Sequence, residues 1–135
     1  MWIWTNCHGR NKDCLYQGCT RAGGHYSQAL VHNGLVFLAG QLPVVPGHPD
    51  AKLEGIEQQS LQVLKNIDAF LTACGSGRER VLKATVYVTD IRQWGQVNAV
   101  YADFFGAHKP ARTVIPVAGL RYGYLIEMDV IAMVS

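Results

Sequence analysis

Hydrophobic and polar positions alternate with clear periods from Tyr26 onward. Two short apolar runs, residues 28–31 and 35–39, flank the tripeptide His32-Asn33-Gly34. Asn-Gly between apolar runs is typical of a β-hairpin, because both turn positions of the tightest hairpins need positive φ. Residues 41–55 then hold most of the chain's prolines and form a predicted loop.

Two helices and three more strands follow. Apolar residues recur at three- and four-residue steps from Ser60 to Cys74, which predicts one helix, and again from Trp94 to Phe105, which predicts a second. The aromatic stripe of the second helix is predicted to be core. Strands are expected at residues 81–88, 112–118 and 124–134. The order β-β-α-β-α-β-β predicts an α+β domain with its helices against one face of the sheet.

The last predicted strand is apolar on both faces. One face carries Ile126, Met128 and Val130, whereas the other alternates Glu127 and Asp129 with apolar residues. Two helices cover only one face of such a sheet, so the other needs a separate cover. A second copy of the chain is the simplest candidate for that cover.

Composition narrows the classes of function. Of the 135 residues, 49% are hydrophobic and only 16% are charged, which agrees with surface buried between subunits. The formal net charge of +2 gives no basic stripe for nucleic acid. Neither a membrane span nor a secretory signal is recognisable, and we expect a cytoplasmic protein.

The first 23 residues lack a period and are predicted to be an irregular arm before a domain at residues 24–135. Three of the four cysteines, Cys7, Cys14 and Cys19, lie in this arm. Their spacing does not fit a zinc site, so no metal is predicted, and disulfides are not expected. Cys74, near a helix end, is predicted to act as a small apolar residue.

The candidate chemistry lies in the last third of the chain. Arg112 follows a proline at the start of a strand, and its guanidinium fork matches a carboxylate. Glu127 lies inside an apolar strand, where desolvation suits it to act as a base or to hold a water. The alternative is a structural Arg–Glu ion pair. Asp129, two residues on, either raises the pKa of Glu127 or serves as a structural acceptor.

An ordered set of segments over residues 24–133 resembles the RidA (YjgF-like) family of reactive intermediate deaminases. The segments are Gly24-His25-Tyr26-Ser27-Gln28-Ala29, Ala39-Gly40-Gln41-Leu42-Pro43, Gln62-Val63-Leu64-Lys65-Asn66-Ile67, Lys83-Ala84-Thr85-Val86-Tyr87-Val88-Thr89-Asp90, Val97-Asn98-Ala99-Val100-Tyr101 and Pro110-Ala111-Arg112-Thr113-Val114.

This resemblance implies a chorismate-mutase-like fold, assembled as a homotrimer with ligand sites between subunits. It implies hydrolysis of enamines and imines such as 2-aminoacrylate to 2-keto acids and ammonia, with no metal or organic cofactor. By position, the family's roles fall on Arg112 for the substrate carboxylate, Glu127 for the hydrolytic water, Tyr26 as a site-lining tyrosine, Asn98 near the cleft and Gly40 for backbone approach to the ligand.

Three departures bear on the substrate. Ala39 stands where the family usually has a serine, Val114 where a site cysteine is common, and His25 where proline is usual. The backbone N–H of Val114 remains available as a donor to a carboxylate. These losses leave two alternatives open: a non-catalytic trimer that binds a small carboxylate or a partner, and a pathway-specific enzyme acting on another small acid.

Overall fold

The computed structural model describes the backbone of Trp2–Ile3 and residues 23–134. The elements in chain order are β1 (Trp2–Ile3), β2 (Ala29–His32), β3 (Leu35–Gln41), α1 (Gly55–Ala73), β4 (Val81–Val88), α2 (Trp94–Phe105), β5 (Ala111–Pro116) and β6 (Ile126–Met133). From β2 onward this confirms the predicted β-β-α-β-α-β-β order and the α+β class.

The strands form one sheet in the order β1-β2-β3-β6-β4-β5. Every neighbouring pair is antiparallel except β4 and β5, which are parallel. Parallel neighbours need a crossover connection, which here contains α2. At the β2–β3 turn, Asn33 has φ 48° and Gly34 has φ 75°, as the predicted hairpin requires.

Both helices pack on the same face of the sheet, as predicted. Buried residues of α1, such as Phe70 and Leu64, join those of α2 and the inward residues of the strands in one cluster. The strand members of this cluster include Met128 and Val86, neither of which is exposed to solvent. We call this side of the sheet the helix face.

The opposite side, which we call the open face, carries apolar residues that stay accessible. Phe37 is 42% exposed, Ile115 38% and Met133 42%. Phe37 is the direct cross-strand partner of Ile131, and Leu35 that of Met133, so the apolar residues are contiguous across β3 and β6. The predicted cover from another copy of the chain stays a prediction.

Two predicted boundaries shift, each beside a glutamine whose side chain accepts a backbone hydrogen bond. The first helix begins at Gly55, ahead of the predicted Ser60, and the Glu54 N–H donates to Gln58 Oε1 at 3.0 Å across its first turn. The last strand begins at Ile126 rather than residue 124, because the preceding Leu125 N–H donates to Gln59 Oε1 of α1 at 2.8 Å.

Most of the predicted arm lies outside the described residues, as do its three cysteines. The described backbone of Trp2–Ile3 is not irregular, since it pairs with Val31 and His32 of β2. Cys74 is 3% exposed at the end of α1, as predicted for a small apolar residue. Among the described residues, no helix is long and apolar enough to cross a membrane.

Candidate functional site

Glu127 lies on the open face, next to the backbone of Gly40. The pairing of β3 with β6 shifts register between Leu38 and Gln41, which brings Gly40 against the Glu127 side chain. A Cβ on Gly40 would clash with Glu127 Oε1 and lie 3.1 Å from its Cδ. A side chain at position 40 would displace the Glu127 carboxyl, so glycine here permits the close approach of that carboxyl rather than an unusual φ.

The pKa of Glu127 lies above that of an ordinary glutamate. Burial raises the pKa of Glu127, and the negative charge of Asp129 on the same strand raises it further. Within the described residues, no cation pairs with Glu127 and no group donates a hydrogen bond to it. A carboxyl in this state binds a proton or a water more readily than an ordinary surface glutamate does.

Asp129 has both of the roles considered from the sequence. It accepts a hydrogen bond from the Tyr87 hydroxyl at 2.9 Å, and its charge contributes to the raised pKa of Glu127. Burial raises the pKa of Tyr87, and the bond to Asp129 raises it further. Sequence reasoning missed Tyr87, although its position across from Glu127 follows from the register of β4 and β6.

Arg112 lies on the other side of the sheet, at its β5 edge. Its guanidinium carbon is 4.4 Å from the centre of the Trp94 ring and 4.5 Å from that of the Tyr101 ring. Its NH1 group donates to Asn98 Oδ1 at 3.1 Å, so Asn98 orients the guanidinium. Two residues predicted only as core, Trp94 and Tyr101, thus also form a stacking platform for the cation.

The structure brings Arg112 and Asn98 together but does not bring Arg112 to Glu127. Arg112 pairs across the ladder with Ala84, which is buried under the helices, whereas Glu127 pairs with Tyr87. The two side chains therefore project from opposite faces of one sheet. The alternative of a structural Arg112–Glu127 ion pair within one subunit is wrong.

Tyr26 and Val114 occupy contrasting positions. Tyr26 is 49% exposed, and its hydroxyl accepts from the Gly23 N–H at 3.3 Å. It lines an open groove of about 1040 Å³ together with Gly40. Val114 is the β5 partner of Val86 and packs against the core, so its side chain does not face this groove.

Buried amides hold the groove in shape. Gln41, 1% exposed, donates to Gln28 Oε1 and to the Ala39 carbonyl, each at 3.0 Å. Asn66 donates to the carbonyls of Leu42 and Val44, at 3.0 and 2.8 Å, and so fixes the loop that forms one wall. In the sequence these amides were noted only as parts of the segments that resemble the family. The sequence signal for a buried amide was Gln41, a polar residue at the end of an apolar strand.

Comparison with known proteins identifies the family of the chain. Residues 19–134 match the protein family described as endoribonuclease L-PSP. The chain belongs to the RidA (YjgF-like) family.

Three relatives show the range of the family. Reactive Intermediate Deaminase A, chloroplastic, from Arabidopsis thaliana is 40% identical over 109 residues, 81% of this chain and 58% of the relative. The Rid-family protein YyfA from Yersinia pestis is 42% identical, with a TM-score of 0.83 over 87% of this chain and 94% of that one. E. coli TdcF, solved with bound serine, is 30% identical, with a TM-score of 0.84 over 93% of this chain and 100% of that one.

These relatives confirm the resemblance and the fold predicted from the sequence. Their names differ in what they imply, since the family description refers to an endoribonuclease and the Arabidopsis relative is named a deaminase. Family membership therefore fixes the scaffold, and the reaction has to be argued from the site.

Proposed function

We propose that the protein hydrolyses reactive 2-enamino and 2-imino acids, of which 2-aminoacrylate is the smallest, to 2-keto acids and ammonia. The observation that carries this proposal is that a cation and a carboxyl group, each suited to one part of the reaction, both lack a partner of opposite charge among the described residues. Arg112 is held by aromatic rings and Asn98 with no described carboxylate partner, and Glu127 is half-buried with no described cation. The deaminase name of the Arabidopsis relative supports the same reaction.

The two groups meet only if they come from different copies of the chain. Arg112 lies on the helix face near the β5 edge, whereas Gly40 and Glu127 lie on the open face. The apolar part of the open face, around Phe37 and Met133, supplies the contact that would bring another copy there. A homotrimer with one site at each contact between neighbours satisfies both requirements.

In this site the substrate carboxylate binds the guanidinium of Arg112 in a bidentate way. Val114 contributes no side chain to the groove, so only its backbone N–H is available as a further donor near that carboxylate. Tyr26 and the backbone of Gly40 line the groove. Those of the neighbouring copy enclose the space in which the reacting carbon lies. This arrangement fixes orientation before any bond changes.

The reaction needs only water and proton transfer. An enamine first gains a proton on C3 and loses one from nitrogen, which gives the imine. Glu127, once ionised, accepts a proton from water as the water oxygen bonds to C2 and the imine nitrogen gains a proton from solvent. In the resulting carbinolamine, Glu127 passes its proton to the amino nitrogen, so that the C–N bond breaks and ammonia leaves. The hydroxyl oxygen forms the carbonyl, and its proton passes through the ionised Glu127 to solvent.

Mixing two inactive variants tests the reaction and the shared site together. Arg112→Ala and Glu127→Gln should each lose most activity on 2-aminoacrylate generated in place and followed by keto-acid release. After dissociation, mixing and reassembly, about a quarter of the contacts should pair an intact Arg112 with an intact Glu127, because each contact draws on two different copies. Activity should return to roughly that fraction of the native value.

The controls are each variant reassembled alone and a mixture of native protein with itself. If native protein leaves 2-aminoacrylate to decay at its buffer rate, the hydrolase proposal is wrong. If native protein is active but the mixture stays inactive, the two residues do not act across a contact between copies. If native protein instead binds small acids without turning them over, the non-catalytic carboxylate-binding alternative is correct.

A further inference from the structure

The groove beside Gly40 is larger than a three-carbon acid requires. Its volume is about 1040 Å³, whereas pockets for whole drug-sized ligands span roughly 300–1,000 Å³. Its lining includes Gly40 and Tyr26, the loop at residues 42–53 and the turn at residues 121–124. A substrate whose reacting carbon lies at Gly40 therefore has room for a side chain along the groove.

Arg121 is a cation in the lining of this groove. In the described residues it forms no ion pair, and its guanidinium carbon is 4.8 Å from the centre of the Tyr122 ring. Its NH1 atom is 3.6 Å from where a Cβ on Gly23 would stand, and the Gly23 N–H bonds to the Tyr26 hydroxyl. Arg121 thus lies close to Gly23, whose N–H bonds to the hydroxyl of the site-lining Tyr26.

The turn that carries Arg121 has an unusual backbone. Tyr122 has φ 61° and is followed by Gly123 with φ 75°. A bulky residue in the left-handed region is uncommon and costs energy, and such conformations cluster at ligand-binding segments. The Tyr122 ring is 71% exposed and contacts Tyr124 edge-on, with ring centres 6.2 Å apart. The turn therefore places an aromatic ring and a guanidinium together at the groove wall.

The charges that line the groove favour an anion. Arg121 and Lys52 contribute two positive groups and Asp50 one negative group. An arginine stacked on an aromatic ring keeps its donor fork available, which suits a planar carboxylate better than a point charge does. The aliphatic wall residues Leu42, Val44 and Leu53 would contact the methylene groups between the two ends of such a ligand.

We propose that Arg121 is a specificity-determining residue that selects 2-imino acids whose side chain ends in a carboxylate. The inference rests on the proposed hydrolase function and adds to it a second anion-binding position. One carboxylate binds Arg112 of the neighbouring copy, C2 lies beside Gly40 and Glu127, and the side-chain carboxylate reaches Arg121. Imines of acidic amino acids are then the preferred substrates over those of apolar ones.

Three imines generated in place by an amino-acid oxidase test this selection: those of glutamate, norvaline and alanine. Native protein should have the highest kcat/KM on the glutamate imine. Arg121→Ala should lower that value by about 10- to 100-fold, as expected for the loss of a hydrogen-bonded charge contact, and should leave the alanine imine unchanged. Arg121→Lys should restore part of the loss, because it returns the charge without the fork.

Arg80→Ala is the matched control, since Arg80 is a half-exposed arginine outside the groove that pairs with Glu79 at 3.9 Å. It should leave all three values as in the native protein. An equal loss on all three imines in Arg121→Ala, or no loss on the glutamate imine, overturns the proposal. A native preference for the norvaline imine does so too, because it would assign the groove to apolar side chains.

Binding separates this inference from the hydrolase proposal. Calorimetry with glutarate and butyrate as unreactive probes requires no turnover. Native protein should bind glutarate at least tenfold more tightly than butyrate, and Arg121→Ala should lose that difference. If no imine is hydrolysed but the difference is present and lost in the variant, the hydrolase proposal fails and the second anion position stands. If native protein binds both probes equally, the second anion position is wrong.

Discussion

The two faces of the sheet differ in what the chain itself provides for them. On the helix face, inward residues of β6 such as Met128 are fully buried under α1 and α2. Five residues along the same strand, Met133 on the open face is 42% exposed, and that face also carries the acidic residues Glu127 and Asp129. One face is apolar and complete within a single copy, whereas the other mixes exposed apolar residues with titratable groups.

This difference assigns two separate roles to the residues of β6. Burial of the even-numbered residues of β6 fixes the register and the fold, since a shift by one residue would place Glu127 under the helices. The odd-numbered residues are free of that requirement and can carry chemistry and contacts with other copies. The comparison predicts that substitutions of β6 residues on the helix face act on stability, and those of β6 residues on the open face on assembly or turnover.

The largest expected effect is on turnover. Glu127→Gln keeps the shape of the side chain beside Gly40 but removes its ability to accept a proton. If Glu127 is the general base, kcat should fall by about 100- to 10,000-fold, while binding of an unreactive carboxylate changes little. Steady-state kinetics and calorimetry on the same preparation measure the two quantities. Normal turnover in this variant would show that Glu127 on the open face is not the general base.

Substitution of the two methionines of β6 tests stability on each face. Met128→Ala should lower the free energy of unfolding by about 2–5 kcal/mol, because it leaves a cavity among fully buried neighbours. Met133→Ala should leave a folded subunit and instead make the midpoint of thermal unfolding more dependent on protein concentration. Denaturant titration and light scattering measure the two effects. Equal, concentration-independent losses would contradict the division between the faces.

The period of the chain was sufficient to predict the order of the elements from β2 onward and the α+β class. The hairpin at Asn33-Gly34, both helices and the alternation in β6 all follow from spacing and turn chemistry. The missed start of β6 depends on a side chain distant in sequence, Gln59, whose amide oxygen accepts from the backbone ahead of the strand. Spacing alone cannot contain such long-range bonds.

The site was predicted less completely for the same reason. Residue types indicated Arg112 and Glu127, but only the ladder registers show that the two project from opposite faces. The platform of Trp94 and Tyr101 under Arg112 arises where a helix and an edge strand meet. The bond from Tyr87 to Asp129 arises across two strands more than forty residues apart, and Arg121 lies in a turn whose backbone has no strong sequence signal.

The smallest expected effect concerns the proton on Glu127. Two causes raise its pKa, burial first and the charge of Asp129 second. Since Glu127 acts in its ionised form, kcat/KM should fall as the pH drops through this raised pKa. Asp129→Asn removes the second cause and keeps an oxygen that can accept from Tyr87, so the acid limb of the profile should move to lower pH. Burial is unchanged, so the shift should be partial.

Tyr87→Phe is the matched control for that shift, because it removes the hydrogen bond of 2.9 Å and leaves the charge on Asp129. Its acid limb should not move to lower pH. Lys83, a cation on the same face, donates to Thr113 Oγ1 of β5 at 2.8 Å. It is unchanged in both variants. Profiles of kcat/KM from pH 4 to pH 8 decide the question. An unmoved limb in Asp129→Asn would show that Asp129 serves Tyr87 alone, and that burial by itself sets the proton affinity of Glu127.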